Sequence, residues 1–231
     1  MSFQRRGELE MGMGIDLRDK LAKRAAEEIH NGMVVNLGIG IPSLVPNHLT
    51  KETMVMFHAE NGITGMGASP AKGEEDENLC NAGGFPVTLN KGGSYCDSAI
   101  AFGMIRRGRV DITILGSLQV SRKGDLANWI VPGKKVPGMG GAMELAQKAR
   151  KVIVVMNHCD KNGKPKIVET CSLPLTSAGC VDLIITELAV FKVNEEGLLL
   201  TELFAPYSLA DVKSKTGCHF KIEEQIRKIP Y

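Results

Sequence analysis

The chain has 231 residues, 43% of them hydrophobic, which is enough for one sizeable core and too few for two large domains. Its 28 basic and 26 acidic residues are interspersed, so the formal net charge of +2 gives no surface suited to nucleic acid. The first residues lack the apolar core of a signal peptide and no apolar run could span a membrane, which predicts a cytoplasmic protein without a membrane partner.

The predicted elements begin after a flexible lead-in at residues 1–15, and a single domain is expected over residues 16–231. A helix is predicted over roughly 17–31, because apolar residues recur every four positions, Asp16 can cap its start and glycine follows its end. Short apolar segments rich in β-branched residues then predict buried strands at residues 33–37, 54–57, 110–115, 151–156, 182–187 and 198–202.

Helical patterns lie between several of these strands, at residues 97–108, 141–150 and 208–217. Asp97 is a candidate cap for the first, and Ser208 with Asp211 resembles a capping box for the last. Strands that alternate with helices predict an α/β fold with a largely parallel sheet. The segment 60–96 is rich in glycine and charge, which predicts a long loop-rich region of the kind that often carries function.

The cysteines and histidines give no metal-binding pattern. The six cysteines form no C-x-x-C pair, and His158 beside Cys159 does not have zinc-site spacing. We expect reduced thiols that act as small buried apolar side chains. His58, two residues before Glu60, is expected to serve in packing or to support that residue.

The string VVNLGIGIPSL places Gly38 and Gly40 directly after a predicted strand, with Pro42 suited to the first turn of a following helix. Backbone N–H groups left free in such a turn could face an anion. The string is not a dinucleotide fingerprint, because Ser43 stands where the third glycine is required. The alternative is a tight strand-to-helix turn without a ligand.

The string FHAENGITGMG places Glu60 at the end of a strand and before Asn61-Gly62. Asn-Gly is a strong hairpin signal, and a glutamate beside it is usually a solvated turn residue. Alternatively, the turn holds a carboxylate at the carboxyl end of a strand, where α/β sheets place their ligands. Glutamate side chains are ionised at neutral pH, so such a carboxylate could be a nucleophile without a separate base.

The string KVPGMGGAMELA places Gly138, Gly140 and Gly141 before a predicted helix. Backbone N–H groups gathered there, with no side chains in the way, could stabilise an oxyanion. A glycine-rich turn that lets the helix pack close to the sheet is the alternative.

The order and approximate spacing of five strings match those of a known family. In chain order, the strings are NLGIGIP, ENGITGMG, NAGG, GDLANWIVPGKKVPGMGGAME and PLTSAGCVDLIITELAVF. In that order they resemble the beta subunit of 3-oxoacid CoA-transferases, which are family I coenzyme A transferases, over residues 16–222. The resemblance implies a three-layer α/β fold with an open, largely parallel sheet, of the type shared with phosphosugar isomerases.

The resemblance also implies roles for individual residues. Glu60 matches the family's nucleophile, and Gly140 with Gly141 matches the backbone site for the oxyanion. Gly38, Gly40 and Asn61 are expected in the same cleft. The implied reaction passes through an acyl-glutamyl anhydride and a glutamyl-CoA thioester, with coenzyme A thioester as substrate and neither a metal nor a redox cofactor.

The family further implies an alpha subunit as partner, in an expected assembly of two alpha and two beta chains. Ala59 and Ala68 stand where members often have serine and proline, which bears on the shape of the acyl pocket. The acid pair therefore stays open, with butyrate and acetate or 3-oxoadipate and succinate as alternatives to a 3-oxo acid. A non-catalytic binding or regulatory module on the same fold and an acyl-CoA hydrolase also stay open as functions of the chain.

Overall fold

The structure is a computed structural model of the chain and describes residues 14–50, 52–133 and 138–230. Its helices are α1 (Ile15–Ala26), α2 (Ser98–Arg106), α3 (Ala142–Lys148), α4 (Leu209–Lys215) and a 3-10 helix (Ile41–His48). Its strands are β1 (Val34–Leu37), β2 (Met56–Ala59), β3 (Ile63–Met66), β4 (Leu89–Tyr95), β5 (Ile112–Leu115), β6 (Gln119–Ser121), β7 (Leu126–Ala127), β8 (Lys151–Val155), β9 (Ile167–Val168), β10 (Leu183–Ile185), β11 (Ala189–Asn194), β12 (Gly197–Phe204) and β13 (Phe220–Ile229).

A ten-stranded sheet has the order β13-β12-β11-β10-β8-β5-β1-β2-β3-β4. Its five central strands, from β10 to β2, run parallel to one another. Strands β3 and β4 extend one side by antiparallel pairing, and β11 and β12 do the same on the other side. The predicted α/β fold with a largely parallel sheet is therefore confirmed, and a small β7-β6-β9 sheet accompanies it.

Both faces of the large sheet are covered, as strand β8 illustrates. Its Ile153 and Val155 pack in the cluster that contains Leu21 of α1. Its Val152 and Val154 point the other way, into the cluster that contains residues of α3, α4 and the small sheet. Because alternate residues of a strand face opposite sides, this arrangement gives three layers, as expected.

The first helix differs from the prediction at both ends. It begins at Ile15 with Gly14 in the cap position, so Asp16 is not the cap but lies in the first turn, where its charge favours the helix dipole. The helix ends at Ala26, after which the N–H groups of Glu27, Glu28 and Ile29 bond to carbonyls three residues earlier in a tighter final turn. Ile29 packs in the core cluster that also contains Leu21. The predicted lead-in lies outside the described residues as far as residue 13.

The remaining predicted elements are largely confirmed. Each of the six apolar segments contributes to a strand, and the three later helices form. The Asp97 cap of α2 and the Ser208–Asp211 capping box of α4 are both present. The prediction that segment 60–96 is loop-rich is confirmed, because its residues outside β3 and β4 lie in turns and loops. The two short strands pair with each other despite the weak strand preference of glycine.

The cysteine prediction is only partly right. The six thiols are free, but Cys80 is exposed and the others are half-buried, so they are not core side chains. Within the described ranges, none of the helices combines the length and apolarity that a membrane crossing requires.

Candidate active site at Glu60

Glu60 follows β2 directly and begins the turn into β3. Ala59 pairs with Ile63 across this hairpin, and the Gly62 N–H donates to the Ala59 carbonyl at 3.0 Å. Gly62 has a φ of +117°, and a Cβ there would lie 2.1 Å from the Cys96 carbonyl oxygen, so only glycine fits. The predicted hairpin forms, and it also holds the half-buried Glu60 carboxylate at the carboxyl end of a strand, so the two interpretations of this motif are compatible.

The Glu60 carboxylate accepts a hydrogen bond from Asn36 on the neighbouring strand β1. Asn36 Nδ2 lies 2.9 Å from Glu60 Oε2 and 3.1 Å from the His58 carbonyl oxygen. Asn36 Oδ1 accepts a longer bond, 3.4 Å, from the Thr113 hydroxyl on β5. Sequence analysis missed both Asn36 and Thr113, although a polar residue in the middle of an apolar strand is a recognisable signal of a required buried hydrogen bond.

These polar side chains share one face of the sheet. Asn36 lies beside His58 on β2 and beside Thr113 on β5, in parallel register. Thr113 is completely buried, and Asn36 and His58 are each 1% exposed. We call Thr113, Asn36 and His58 the polar row. The polar row is buried on the sheet face that α2 and α3 cover, and Glu60 lies at its end.

Gly141 approaches Glu60 from the start of α3. A Cβ on Gly141 would lie 2.8 Å from Glu60 Cγ and 3.0 Å from Oε1, closer than any normal van der Waals contact. Gly140 has a φ of +55° and Gly138 a φ of +101°, so both take the left-handed conformation that favours glycine. Of the three predicted glycines, Gly141 is the one whose missing side chain makes room for Glu60.

Gly38 and Gly40 lie in a strand-to-helix turn, as predicted. The Gly38 N–H donates to the Ile114 carbonyl at 2.8 Å, so this amide extends the sheet and is not free for an anion. Gly40 has a φ of +87°, and its carbonyl accepts from both the Ser43 N–H and the Ser43 hydroxyl. Pro42 lies in the first turn of a 3-10 helix, which agrees with the predicted helix start.

Asn61 and His58 support the turn from two sides. Asn61 Nδ2 donates to the Cys80 carbonyl at 2.7 Å and so ties the Glu60 turn to the loop that precedes β4. His58 Nε2 lies 3.2 Å from the Ala101 carbonyl, which assigns the ring hydrogen to Nε2, while Nδ1 has no partner among the described residues. Burial lowers the pKa of His58, against the opposing influence of the Ala101 carbonyl and the Glu60 charge, so its ring is neutral at neutral pH.

The chain matches the family model for coenzyme A transferases over residues 18–212. A probable coenzyme A transferase subunit beta from Bacillus subtilis is 62% identical over 213 residues, which are 92% of this chain and 98% of that protein. The mitochondrial succinyl-CoA:3-ketoacid coenzyme A transferase 2A of Rattus norvegicus is 53% identical over 89% of this chain, which spans only 40% of that protein.

A solved structure of the acyl-CoA transferase apoenzyme from Escherichia coli O157:H7 superposes with a TM-score of 0.73. The match covers 96% of this chain and 44% of that chain at 22% identity, so it supports the fold alone. The family model and the two sequence relatives support membership of a protein family as well as the fold, because each match covers most of this chain. The chain therefore belongs to the coenzyme A transferase family.

Proposed function

We propose that the chain is the beta subunit of a CoA-transferase that moves coenzyme A between an acyl-CoA and a carboxylic acid, with Glu60 as the nucleophile. The observation that carries this proposal is the setting of the Glu60 carboxylate at the carboxyl end of β2. One of its oxygens is bound by Asn36 and its side chain lies against Gly141, which has no side chain to exclude a substrate. Backbone amides of Gly140 and Gly141 are the proposed donors to the oxyanion.

The reaction exchanges one carboxyl derivative for another. The Glu60 carboxylate attacks the thioester carbonyl of acyl-CoA, and CoA leaves as a thiolate with formation of an acyl-glutamyl anhydride. The thiolate then attacks Glu60 Cδ, which gives the glutamyl-CoA thioester and releases the first acid. The second acid enters by the same steps in reverse, in a ping-pong sequence.

A carboxylate is a weak nucleophile, so the anhydride requires stabilisation from elsewhere in the complex. Binding of the parts of CoA remote from the thioester is the proposed source of that free energy. Both covalent intermediates are sensitive to water, so the site must also be covered during turnover. No step requires a metal or a redox cofactor, and their absence from the reaction stays a prediction.

An alpha subunit is the proposed cover. Four exposed apolar side chains lie on segments linked to the Glu60 turn, and we call Ile39, Phe85, Tyr95 and Met143 the apolar rim. Tyr95 pairs with Ile63 just after the turn, and Met143 lies two residues after Gly141. Phe85 and the neighbour of Ile39, Gly83, lie in the loop that Asn61 binds through the Cys80 carbonyl. Each of these side chains is between 41% and 64% exposed. Apolar side chains exposed in a cluster usually mark an interface with another chain. The relatives support this partner, since the Bacillus protein is named a subunit beta whereas the rat protein carries the matching segment within a longer chain. An assembly of two alpha and two beta chains is proposed.

The apolar rim can be tested by co-purification. Tyr95→Asp should reduce recovery of a tagged alpha subunit, because it would place a charge in the buried interface. Met54→Asp is the matched control, because Met54 is 75% exposed but lies before the amino end of β2, away from Glu60. Equal recovery of the alpha subunit with both variants would contradict the proposed docking surface.

The covalent mechanism can be tested with the assembled enzyme. Acyl-CoA is added without an acceptor acid, the mixture is reduced with borohydride, and the peptide that contains Glu60 is analysed by mass spectrometry. A glutamyl-CoA thioester is reduced to the alcohol, so the expected product has one oxygen replaced by two hydrogens at Glu60. The Glu60→Gln variant should give neither this product nor transfer.

Different results would point to the competing functions. Unmodified Glu60 together with full transfer in Glu60→Gln would overturn the proposal, and a complete lack of turnover with every acyl-CoA would favour a non-catalytic module. Rapid release of CoA without an acceptor would indicate a hydrolase.

The acid pair is a separate question. The name of the rat relative supports a 3-oxo acid as one substrate, and short-chain fatty acids are the alternative. Transfer rates with a panel of acceptor acids, including acetate, butyrate, succinate and acetoacetate, would rank them. The cytoplasmic location stays a prediction from the sequence.

A further inference from the structure

Helix α2 is attached to the Glu60 turn at its amino end. The Cys96 N–H donates to the Gly62 carbonyl at 2.9 Å, and Asp97 then caps the helix by accepting from the Ile100 N–H at 2.8 Å. Gly62 leaves room for this contact, because a Cβ there would lie 2.1 Å from the Cys96 carbonyl oxygen. The start of α2 and the turn that holds Glu60 are therefore in direct contact.

His58 makes a second attachment, to the middle of the same helix. Its Nε2–H donates to the Ala101 carbonyl at 3.2 Å, and both residues are buried. His58 lies on β2, two residues before Glu60, so the bond joins the strand that ends at Glu60 to the helix. The proposed reaction uses no acid or base at this position, yet burying a polar side chain is costly unless it makes a hydrogen bond. The bond to Ala101 is therefore the feature of His58 that calls for a functional reason.

The carboxyl end of α2 is attached to the start of α3. Arg106 Nε and Nη2 donate to the two carboxylate oxygens of Glu144 at 2.8 and 2.7 Å, a bidentate arrangement of defined geometry. Ile105 and Leu145, which are neighbours of this pair in sequence, pack in one cluster between the two helices. Glu144 lies in the first turn of α3, just after the turn at residues 140–141, which we call the glycine turn. The position of the glycine turn therefore depends on α2.

We infer that α2 positions the glycine turn against Glu60. His58 and the Arg106–Glu144 pair are the positioning residues. This inference rests on the proposed function and deepens it, since the glycine turn carries the proposed oxyanion donors. One path of contacts runs from β2 through His58 to α2, and from α2 through Arg106 to α3. It closes where a Cβ on Gly141 would lie 2.8 Å from Glu60 Cγ. The links lie in series, so release of either one should let the glycine turn move away from Glu60.

The first test measures formation of the borohydride-trappable thioester in the enzyme assembled with its alpha subunit. His58→Phe keeps a ring but loses the donor to Ala101, so the rate should fall about 10- to 100-fold, since a misplacement of about 1 Å can cost about 100-fold. The KM for acyl-CoA should change little. His58→Gln should stay within about threefold of wild type, because its Nε2 can reach the same carbonyl, whereas His58→Asn is too short and should resemble His58→Phe. Thr201→Val is the matched control, because it removes another buried bond to a backbone carbonyl, 3.3 Å long, on β12.

The second test breaks the link at the other end of α2. Glu144→Gln weakens the pair with Arg106, and the rate should fall about two- to fivefold, less than in His58→Phe, because solvent already screens this partly exposed pair. Adding Glu144→Gln to His58→Phe should lower the rate little further, because the links lie in series. Glu169→Gln is the matched control, since it removes an ion pair with Arg122 beside the small sheet.

The third test does not depend on the reaction. Amide hydrogen exchange over α3 should be faster in His58→Phe than in wild type, because α3 loses part of its support when α2 is released. Exchange over α1, which packs on the opposite face of the sheet, is the internal control and should not change.

The outcomes separate the inference from the proposed function. If folded His58→Phe forms the thioester within about threefold of the wild-type rate, the role of α2 is wrong. Equal rates in Glu144→Gln and Glu169→Gln would also overturn it, even if His58→Phe failed to fold, and so would equal losses in His58→Gln and His58→Asn. If wild-type enzyme forms no thioester at Glu60, the proposed function fails. In that case faster exchange over α3 would still support the link through α2, and unchanged exchange would overturn the link as well.

Discussion

Replacing Gly141 by alanine would put a methyl carbon into space that the Glu60 side chain occupies. That carbon would lie 2.8 Å from Cγ, 3.0 Å from Oε1 and 3.1 Å from Cδ of Glu60. Non-bonded carbon atoms pack at about 3.5–4.0 Å, so Glu60 would have to move by about 1 Å. The backbone at Gly141 has a φ of −80°, which alanine adopts freely, so the effect comes from this contact alone.

The size of the expected effect follows from that displacement. A misplacement of about 1 Å at a reacting group can reduce the rate about 100-fold, which corresponds to about 2.7 kcal/mol of barrier. Overpacking typically lowers the free energy of unfolding by about 1–3 kcal/mol. We expect a loss near the lower value, because the half-buried Glu60 side chain can move toward solvent. We therefore expect a large loss of activity with a small loss of stability.

The assay measures kcat/KM for CoA transfer and the melting temperature, both on the enzyme assembled with its alpha subunit. Gly103→Ala is the matched control, because a Cβ at this position in α2 meets nothing within 4 Å. Alanine inside a helix usually adds about 0.5–1 kcal/mol of stability, and activity should stay unchanged. Activity of Gly141→Ala within threefold of wild type would refute the view that Glu60 reacts from the position described.

Two further predictions concern stability. Arg24 and Glu202 form a bidentate buried ion pair with two contacts of 2.7 Å. Glu202→Gln removes one charge of this pair, so the free energy of unfolding measured in urea should fall by about 3 kcal/mol. A loss below about 1 kcal/mol would contradict this prediction. His158 is buried between the Thr186 and Thr216 hydroxyls, and burial, with a smaller contribution from the charge of a nearby lysine, lowers its pKa to about 4. The unfolded chain therefore binds a proton at His158 more tightly than the folded chain, so at most about 3 kcal/mol of folding stability should be lost as pH falls from about 6.5 to 4. The melting temperature of His158→Gln should fall less steeply with pH over this range than that of the wild type. Identical pH dependence in the two proteins would contradict this prediction.

The local structure at Glu60 could be predicted from the sequence because its causes are local. The hairpin depends on Gly62, since its positive φ and its contact with Cys96 exclude a side chain, and an Asn-Gly pair after an apolar run indicates such a turn. Apolar runs such as residues 151–156 predicted strands for the same kind of reason, because burial requires a continuous apolar segment. The acidic side chain at the end of β2 was therefore visible in the order of the residues alone.

The partners of Glu60 could not be found in the same way. Asn36 lies 24 residues earlier and contacts Glu60 only because β1 and β2 pair in a register that sets Asn36 beside His58. Gly141 reaches Glu60 through the packing of α3 on the sheet. The periodicity of apolar residues indicates which side of a strand is buried. It does not indicate which other strand or helix will pack beside that strand.

The order of the strands shows the same division. The sequence by itself determined the central apolar strands, the helices between them and the carboxylate in its turn, since each depends on residues close together in the chain. Only the tertiary structure decided that β5 lies between β1 and β8, that β3 and β4 extend the sheet, and that Asn36 and Gly141 meet Glu60. The physical reason is that pairing and packing are chosen by the whole core at once, because each strand gains from burial only against the neighbours that the other elements leave available.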